Sequence, residues 1–259
     1  MTRLDFYDGK GDKTLKIHIP HFVFANTSDA KEKDENCKFG GLPEGLPNDQ
    51  WPICSECEVP MTFIFQMKHH PERLSLGKEG RVFYLFQCEN GGECSTWEAD
   101  GGCNKALILE PEDWDTTPIK TTPDEDTTIF PEIMVSNWET KEVINQEERP
   151  IRTHFGGEPI WIQSPETLGD SYVFKAQLDF SLVVNATNLS ELSIMETSEY
   201  EGAKSYQLKV GEDDFVWISE LGLNKYHCPF ANFGDSGCGY VYVNASIKDA
   251  TGKFIWQCY

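Results

Sequence analysis

The sequence predicts a mostly β fold, and three observations carry that prediction. Short runs alternate apolar and polar residues: 61–67 sets Met61, Phe63, Phe65 and Met67 on one face, and Phe174, Ala176, Leu178 and Phe180 alternate with Lys175, Gln177 and Asp179. No stretch keeps apolar residues at i, i+3 and i+4 through three turns, so helices are expected to be short and peripheral, at 165–168 and 187–192. Paired cysteines flank an apolar hairpin pattern. The expected class is therefore mostly β, a β-rich α+β chain, with two similar β-rich halves and a zinc-ribbon-like knuckle in the first.

The elements follow in order. Besides 61–67 and 174–180, strand patterns occupy 81–88, 105–109, 215–219, 240–244 and 253–258, with Gly, Pro, Asn and Asp between them. Phe39-Gly-Gly-Leu-Pro43 returns as Phe155-Gly-Gly-Glu-Pro159. Each copy precedes an apolar strand carrying a glutamine, Gln66 or Gln177, and then an aromatic strand, 82–86 or 240–243. Two readings stand side by side: one β unit used twice, or a Phe-Gly-Gly-x-Pro turn used twice. The domain reading divides the chain into a first β-rich half (1–109), an acidic connection (110–148) and a second β-rich half (149–259), which together can form one domain.

Charge separates the connection from its flanks. The 259 residues hold 43 acids against 22 Lys and Arg, a formal −21. Such a surface disfavours nucleic acid, because neutralising phosphates requires an excess of Lys and Arg. Residues 110–148 alone hold twelve acids against Lys120 and Lys141. Their Thr-Pro-rich middle reads as an exposed connection, either a solvated linker or a partner-binding element, with Trp114, Phe130, Ile133 and Trp138 available as anchors. No window approaches the roughly 20 apolar residues of a membrane span, and the first residues show no apolar leader, so the expected compartment is the cytoplasm, with no membrane partner.

Nine cysteines in a reducing compartment imply metal ligands and buried thiols rather than a disulfide framework. Cys54-Ser-Glu-Cys57 opens a strand, and Cys88 closes the next one and is followed by Cys94. Turns that present two thiolates on each side of a hairpin suit tetrahedral zinc. A redox Cys-x-x-Cys would instead lead into a helix. Cys103, His69 and His70 compete with Cys94 for the fourth position. Four thiolates leave no open position for a reacting water, so this zinc would be structural. Gly234-Asp-Ser-Gly237 matches the nucleophile turn of trypsin-like proteases, but the upstream His context that would accept the Ser236 proton is missing. His227 and Cys228 are adjacent, which points them apart on a strand rather than pairing them as base and nucleophile. Phosphate-loop, dinucleotide and H-E-x-x-H motifs are absent.

The ordered blocks Phe39-Gly-Gly-Leu-Pro43, Trp51-Pro-Ile-Cys-Ser-Glu-Cys57, 61–67, 82–88, Phe233-Gly-Asp-Ser-Gly-Cys-Gly-Tyr240 and Phe254-Ile-Trp-Gln-Cys-Tyr259 resemble the YwqG-like family, a bacterial domain of unknown function. The block at 156–163 and the Cys-x-x-Cys before an apolar strand are also similar to eukaryotic programmed cell death protein 2. The resemblance implies a duplicated β fold with zinc on Cys54, Cys57, Cys88 and Cys94. It places Gly-Asp-Ser-Gly in an ordinary C-terminal block. It brings no catalytic residues. The eukaryotic relatives are chaperones for a basic ribosomal protein, and some bacterial members look like toxin-immunity proteins. By analogy the expected function is a non-enzymatic, zinc-stabilised module whose acidic surface binds a basic protein partner, a ribosomal protein or a toxin, with Trp114, Trp138 and Trp161 supplying apolar contact. The alternatives are an enzyme with its site between the halves and self-association through strand edges.

Overall fold

The computed structural model describes residues 14–90, 93–143, 153–211 and 214–259. The N-terminal segment read for a leader, and the end of the acidic connection at 144–148, lie outside the described residues. The strands are β1 (Leu15–Phe24), β2 (Cys37–Phe39), β3 (Thr62–Lys68), β4 (Val82–Gln87), β5 (Asn104–Leu109), β6 (Ile133–Val143), β7 (His154–Gly156), β8 (Val173–Asp179), β9 (Ser181–Asn185), β10 (Ile194–Tyr200), β11 (Ala203–Lys209), β12 (Phe215–Gly222), β13 (Lys225–Pro229), β14 (Cys238–Asn244) and β15 (Thr251–Gln257). The mostly β class is therefore observed. Among the described residues, the helical segments are short 3-10 turns at Ser28–Lys31, Asn48–Gln50, Pro111–Asp113 and Leu189–Glu191. The last falls inside the expected 187–192, where the Asn188 side chain caps the turn by accepting from the Ser190 N–H. The helix expected at 165–168 is irregular chain instead. Here the Gln257 amide donates to the Ser164 carbonyl and the Glu166 carboxylate, a tie to β15 that holds this stretch open.

Among the described residues, fifteen strands join into one large, open, hydrogen-bonded sheet. At its centre β1 and β6 run antiparallel from Leu15 opposite Val143 to Phe24 opposite Ile133. Beyond β6 lie β2, β3, β4 and β5. β1 pairs with β7 through Ile17 and His18, and farther along with β9 in parallel. β7 leads to β8, β14 and β15. Between β8 and β14 the chain makes an excursion through β9–β13 that ends at β10. The β6 strand is a difference from the sequence reading, which saw residues 110–148 as a connection. Ile133, Met134 and Val135 are buried and continue the central sheet, whereas the charged second half of the strand disguises them. Its anchors behave as expected: Ile133 is buried in the main core, Phe130 and Trp138 pack against it, and Trp114 packs on the cysteine side.

The runs β2–β3–β4–β5 and β7–β8–β14–β15 repeat the same antiparallel pairing order and the same local bonds. Gln66 accepts from the Glu44 N–H at 2.7 Å, and Gln177 accepts from the Ile160 N–H at 2.9 Å. The opposing tyrosines, Tyr84 and Tyr240, donate to the carbonyls of the same two residues, Glu44 and Ile160. Both Gly-Gly pairs have left-handed backbones, with φ of 61° and 64° at Gly40 and Gly41 and 75° and 73° at Gly156 and Gly157. A Cβ on Gly40 would lie 2.2 Å from the Pro131 carbonyl oxygen, so glycine is required on both steric and conformational grounds. A bulge also recurs two residues before each glutamine, leaving Ile64 and Lys175 unmatched across the ladder.

The bulge corrects the face assignment made from alternation. One extra residue reverses the side-chain alternation, so Met61 and Phe63 face the cysteine-side cluster while Phe65 and Met67 enter the main core. β3 and β4 are buried on both faces rather than half-buried. Phe174 is likewise turned away from Ala176 and Leu178.

Asp179, at the end of β8, gives a prediction. Burial raises its carboxyl to about 6, against the lowering effect of the Phe180 and Ser181 N–H groups. A carboxyl raised above its unfolded value favours the folded state below the unfolded pKa, and this contribution is lost as pH rises through about 6. Allowing for partial solvent contact, Asp179→Asn should stabilise the protein by about 1–2 kcal/mol near pH 7, or roughly 2–6 °C in Tm, and by nothing near pH 3.5. Thermal melts across that range measure the effect; a gain that does not vary with pH would refute this account.

Candidate metal centre and acidic groove

The first cysteine turn is shaped before any thiol is considered. Ile53 and Pro60 form a bridge, Cys54 N–H donates to Val59 O, and Glu58 N–H donates to Cys54 O. Glu58 takes a left-handed φ of 61°, which reverses the chain and brings Cys54 and Cys57 to one side. Trp51 stands behind the turn, donating from its indole to Met61 O and meeting Phe86 edge-on. Cys88 follows directly on β4, and its N–H donates to Cys103 O.

Four of the predicted ligands converge. The sulfurs of Cys54, Cys57, Cys88 and Cys94 all lie within 4.8 Å of one another, and those of Cys57 and Cys88 are 3.5 Å apart. Cys54, Cys88 and Cys94 are buried, and Cys57 is half-buried. The set is spaced to hold a metal ion. Burial and contacts with the other thiols push Cys94 well up, and burial, reinforced by Cys57 and Cys54, raises Cys88 to about 12. For Cys57 burial also acts upward, yet hydrogen bonds from Val59, Asn90, Cys88 and Cys54 bring it down to about 7. One acidic thiol among reluctant ones describes a cluster that resists further negative charge while no cation is inside it. A divalent ion reverses that balance by favouring every thiolate it touches.

The competing ligands divide. Cys103 lies at the margin of the cluster, in a second group with Glu56 and Cys94. His69 and His70 use their Nδ1 atoms to accept backbone N–H groups of the β3–β4 loop, from Leu76 for His69 and from Glu72 and Arg73 for His70. Ser236 occupies an exposed turn with φ 52°. The His227 ring bonds Ser181 Oγ at 2.6 Å, a pairing between β9 and β13 that sequence spacing does not reveal. Cys228 is fully buried, and burial raises its thiol to about 12.

A groove of about 1330 Å³ runs between the β2–β3 connection, residues 114–132 of the acidic segment and the base of the β9–β13 excursion. Its lining includes the acids Glu44, Asp115, Glu125, Glu132, Glu191 and Asp214, the lysines Lys38, Lys120 and Lys209, and apolar Ile119 and Leu192. Lys38 is buried in the floor, already held by Glu44 at 3.2 Å and Glu132 at 3.1 Å. The groove was not visible as such in the sequence, because its walls come from segments far apart in the chain. Only the charge of one wall was legible.

A scan against protein-family models finds no match to this chain, and a search of curated proteins finds no matching relative. Among the described residues, no helix is long and apolar enough to cross a membrane. Fold and site together define a mostly β protein with a four-cysteine cluster able to hold a metal ion.

Proposed function

We propose that this chain is a non-enzymatic binding module, stabilised by zinc on Cys54, Cys57, Cys88 and Cys94, whose acidic groove takes a basic segment of a protein partner. The observation that carries the reading is the groove itself, where six acidic residues from three separate segments outnumber Lys38, Lys120 and Lys209 along a concave, partly apolar surface, and Lys38 is already neutralised by Glu44 and Glu132. Such a surface attracts a cationic chain at long range and discriminates against acidic ones. Zinc is favoured over other metals by the all-thiolate donor set, and a site closed by four sulfurs stabilises folding rather than activating water.

The duplicated reading belongs to the same proposal. The paired Gly-Gly turns, the matching bulges and the Gln and Tyr bonds to Glu44 and Ile160 support one β unit used twice, with the cysteine knuckle elaborating the first copy as a zinc ribbon would. They are also consistent with a YwqG-like fold. Within that family analogy, a ribosomal protein or a toxin is the kind of basic partner that fits, and the cytoplasm is where either would be met.

The test uses a defined probe. A fluorescent peptide alternating lysine and leucine should bind the protein at low salt, weaken steeply with added salt, and outcompete a glutamate–leucine counterpart. The variant Glu125→Gln with Asp214→Asn should bind it at least about tenfold more weakly, a change of about 1.4 kcal/mol. Equal binding of both peptides, or an unchanged affinity in the variant, would sink the proposal.

A further inference from the structure

Cys103 and Glu56 remain outside the four-thiol set, yet the fold brings both to it. Ser55, inside the first cysteine turn, donates its N–H to Gly102 O and its hydroxyl to Gly101 O, each at 3.0 Å. Gly102 has a φ of 79°, and a Cβ there would lie 2.4 Å from Ser55 Oγ, so the loop bearing Cys103 seats directly on the turn. On the other flank Glu56 accepts from the Ser95 N–H at 3.2 Å, which fastens the same turn to the loop bearing Cys94. The outcome is a second ligand group, Glu56, Cys94 and Cys103, whose donor atoms also lie within 4.8 Å of one another.

We propose that the cluster holds a second divalent metal ion beside the first, with Cys94 as the shared bridging thiolate and Cys103 and Glu56 as its further ligands. The proposal rests on the four-thiol reading of the first site. The two groups then share one ligand: Cys54, Cys57, Cys88 and Cys94 surround one ion, and Cys94, Cys103 and Glu56 hold the other, which keeps a position for solvent. The chemistry favours filling both. With one ion bound, four thiolates and the Glu56 carboxylate leave three negative charges uncompensated in a largely buried place, and a second ion, with Cys103 deprotonated, brings this to two. On binding, the Cys103 thiol gives up its proton to solvent and becomes a ligand. The two ions differ in exposure. The first is enclosed by sulfur, whereas the second is capped by the exposed carboxylate of Glu56, so it is the ion that exchanges with solution.

The experiment is a Zn²⁺ titration of the full metal-free chain, read by native mass spectrometry. Two ions are expected in the wild type, and one in Cys103→Ser and in Glu56→Gln. Glu56 is exposed, so Glu56→Gln tests the site even where loss of the buried Cys103 thiol disturbs folding. Cobalt(II) used in place of zinc should give a second, weaker absorption step that disappears in Glu56→Gln. Wild-type saturation at one ion, lost on Cys57→Ser, would overturn the second site while leaving the first standing. No bound ion in the wild type would remove both, as would unchanged stoichiometry in all three variants.

Discussion

Exchanging Cys54 and Cys57 together for serine should remove the bound metal and lower the melting temperature by about 10–20 °C. The magnitude follows from what the ion connects. Structural zinc contributes on the order of 10–16 kcal/mol in small peptides at neutral pH, while a whole domain is stable by only about 5–15 kcal/mol. Even a third of that contribution shifts a chain of this size by the stated amount. The loss should be local at first, because the thiols pack in one cluster with Trp51, Phe63, Tyr84 and Phe86, separate from the main core. Tryptophan fluorescence should therefore report the opening of this side before circular dichroism registers the collapse of the sheet. A strong chelator acting on the unaltered chain should reproduce the effect, and readdition of zinc should reverse it. A double variant that melts with the wild type would mean that the cluster carries no structural ion.

Arg81→Ala is the second substitution with a large expected effect, and it acts on a different joint. Arg81 is among the largest fully buried side chains, at 1% exposure. Its guanidinium meets Glu110 at 2.6 and 2.7 Å and donates to the carbonyls of Leu76, Ser246 and Ile247. The Arg81 pair also holds the Glu110 carboxyl below its usual range, with burial acting in the opposite direction and Lys78 assisting. One side chain thus ties the end of the β3–β4 loop to the start of the acidic segment and to the β14–β15 turn. Removing it leaves Glu110 with Lys78 alone and takes the donor from three carbonyls, at an expected cost of about 3–5 kcal/mol and roughly 6–20 °C in Tm. Arg81→Lys should recover little of this, since an ammonium cannot present the planar fork that reaches Glu110 and the carbonyls together. Urea unfolding of both variants measures the difference. A loss below about 1 kcal/mol in Arg81→Ala would show that solvent replaces the contacts.

The parts of the fold legible in the sequence were those where side-chain pattern and burial agree. β4, β5, β14 and β15 are short, apolar and bounded by turn residues, and they were read within a few positions of their ends. The cysteine cluster was legible for the same reason, since two close pairs around a hairpin leave few ways to arrange four thiols. β1 was hidden by Pro20 and two histidines, although Pro20 is accommodated opposite Trp138 in the register with β6. β10 was hidden because it has almost no buried face: Glu196, Thr197, Ser198 and Glu199 are exposed, and pairing with β11 alone makes it a strand. The face error at 61–67 has a sharper cause, because a bulge changes alternation without changing composition. Arg81 and the groove belong to a third category. Their meaning comes from contacts across the chain, 166 positions between Arg81 and Ile247, which no local pattern encodes.

The central pairing of β1 with β6 bears on how the chain is made. His18 and Thr140, bonded through their side chains, are 122 positions apart. β2 takes its neighbour on the central side from β6, which is made later, whereas β7 pairs with β1, which is made earlier, so it is the first run of four strands that waits for its neighbour. On a ribosome, the first run must stand with an open edge until residue 143 has emerged. A nascent chain stalled short of that point should be more sensitive to protease, and readier to pair with a neighbouring chain through β2, than one stalled beyond it. The order of synthesis, and not only the finished contacts, then decides when this protein becomes safe from aggregation.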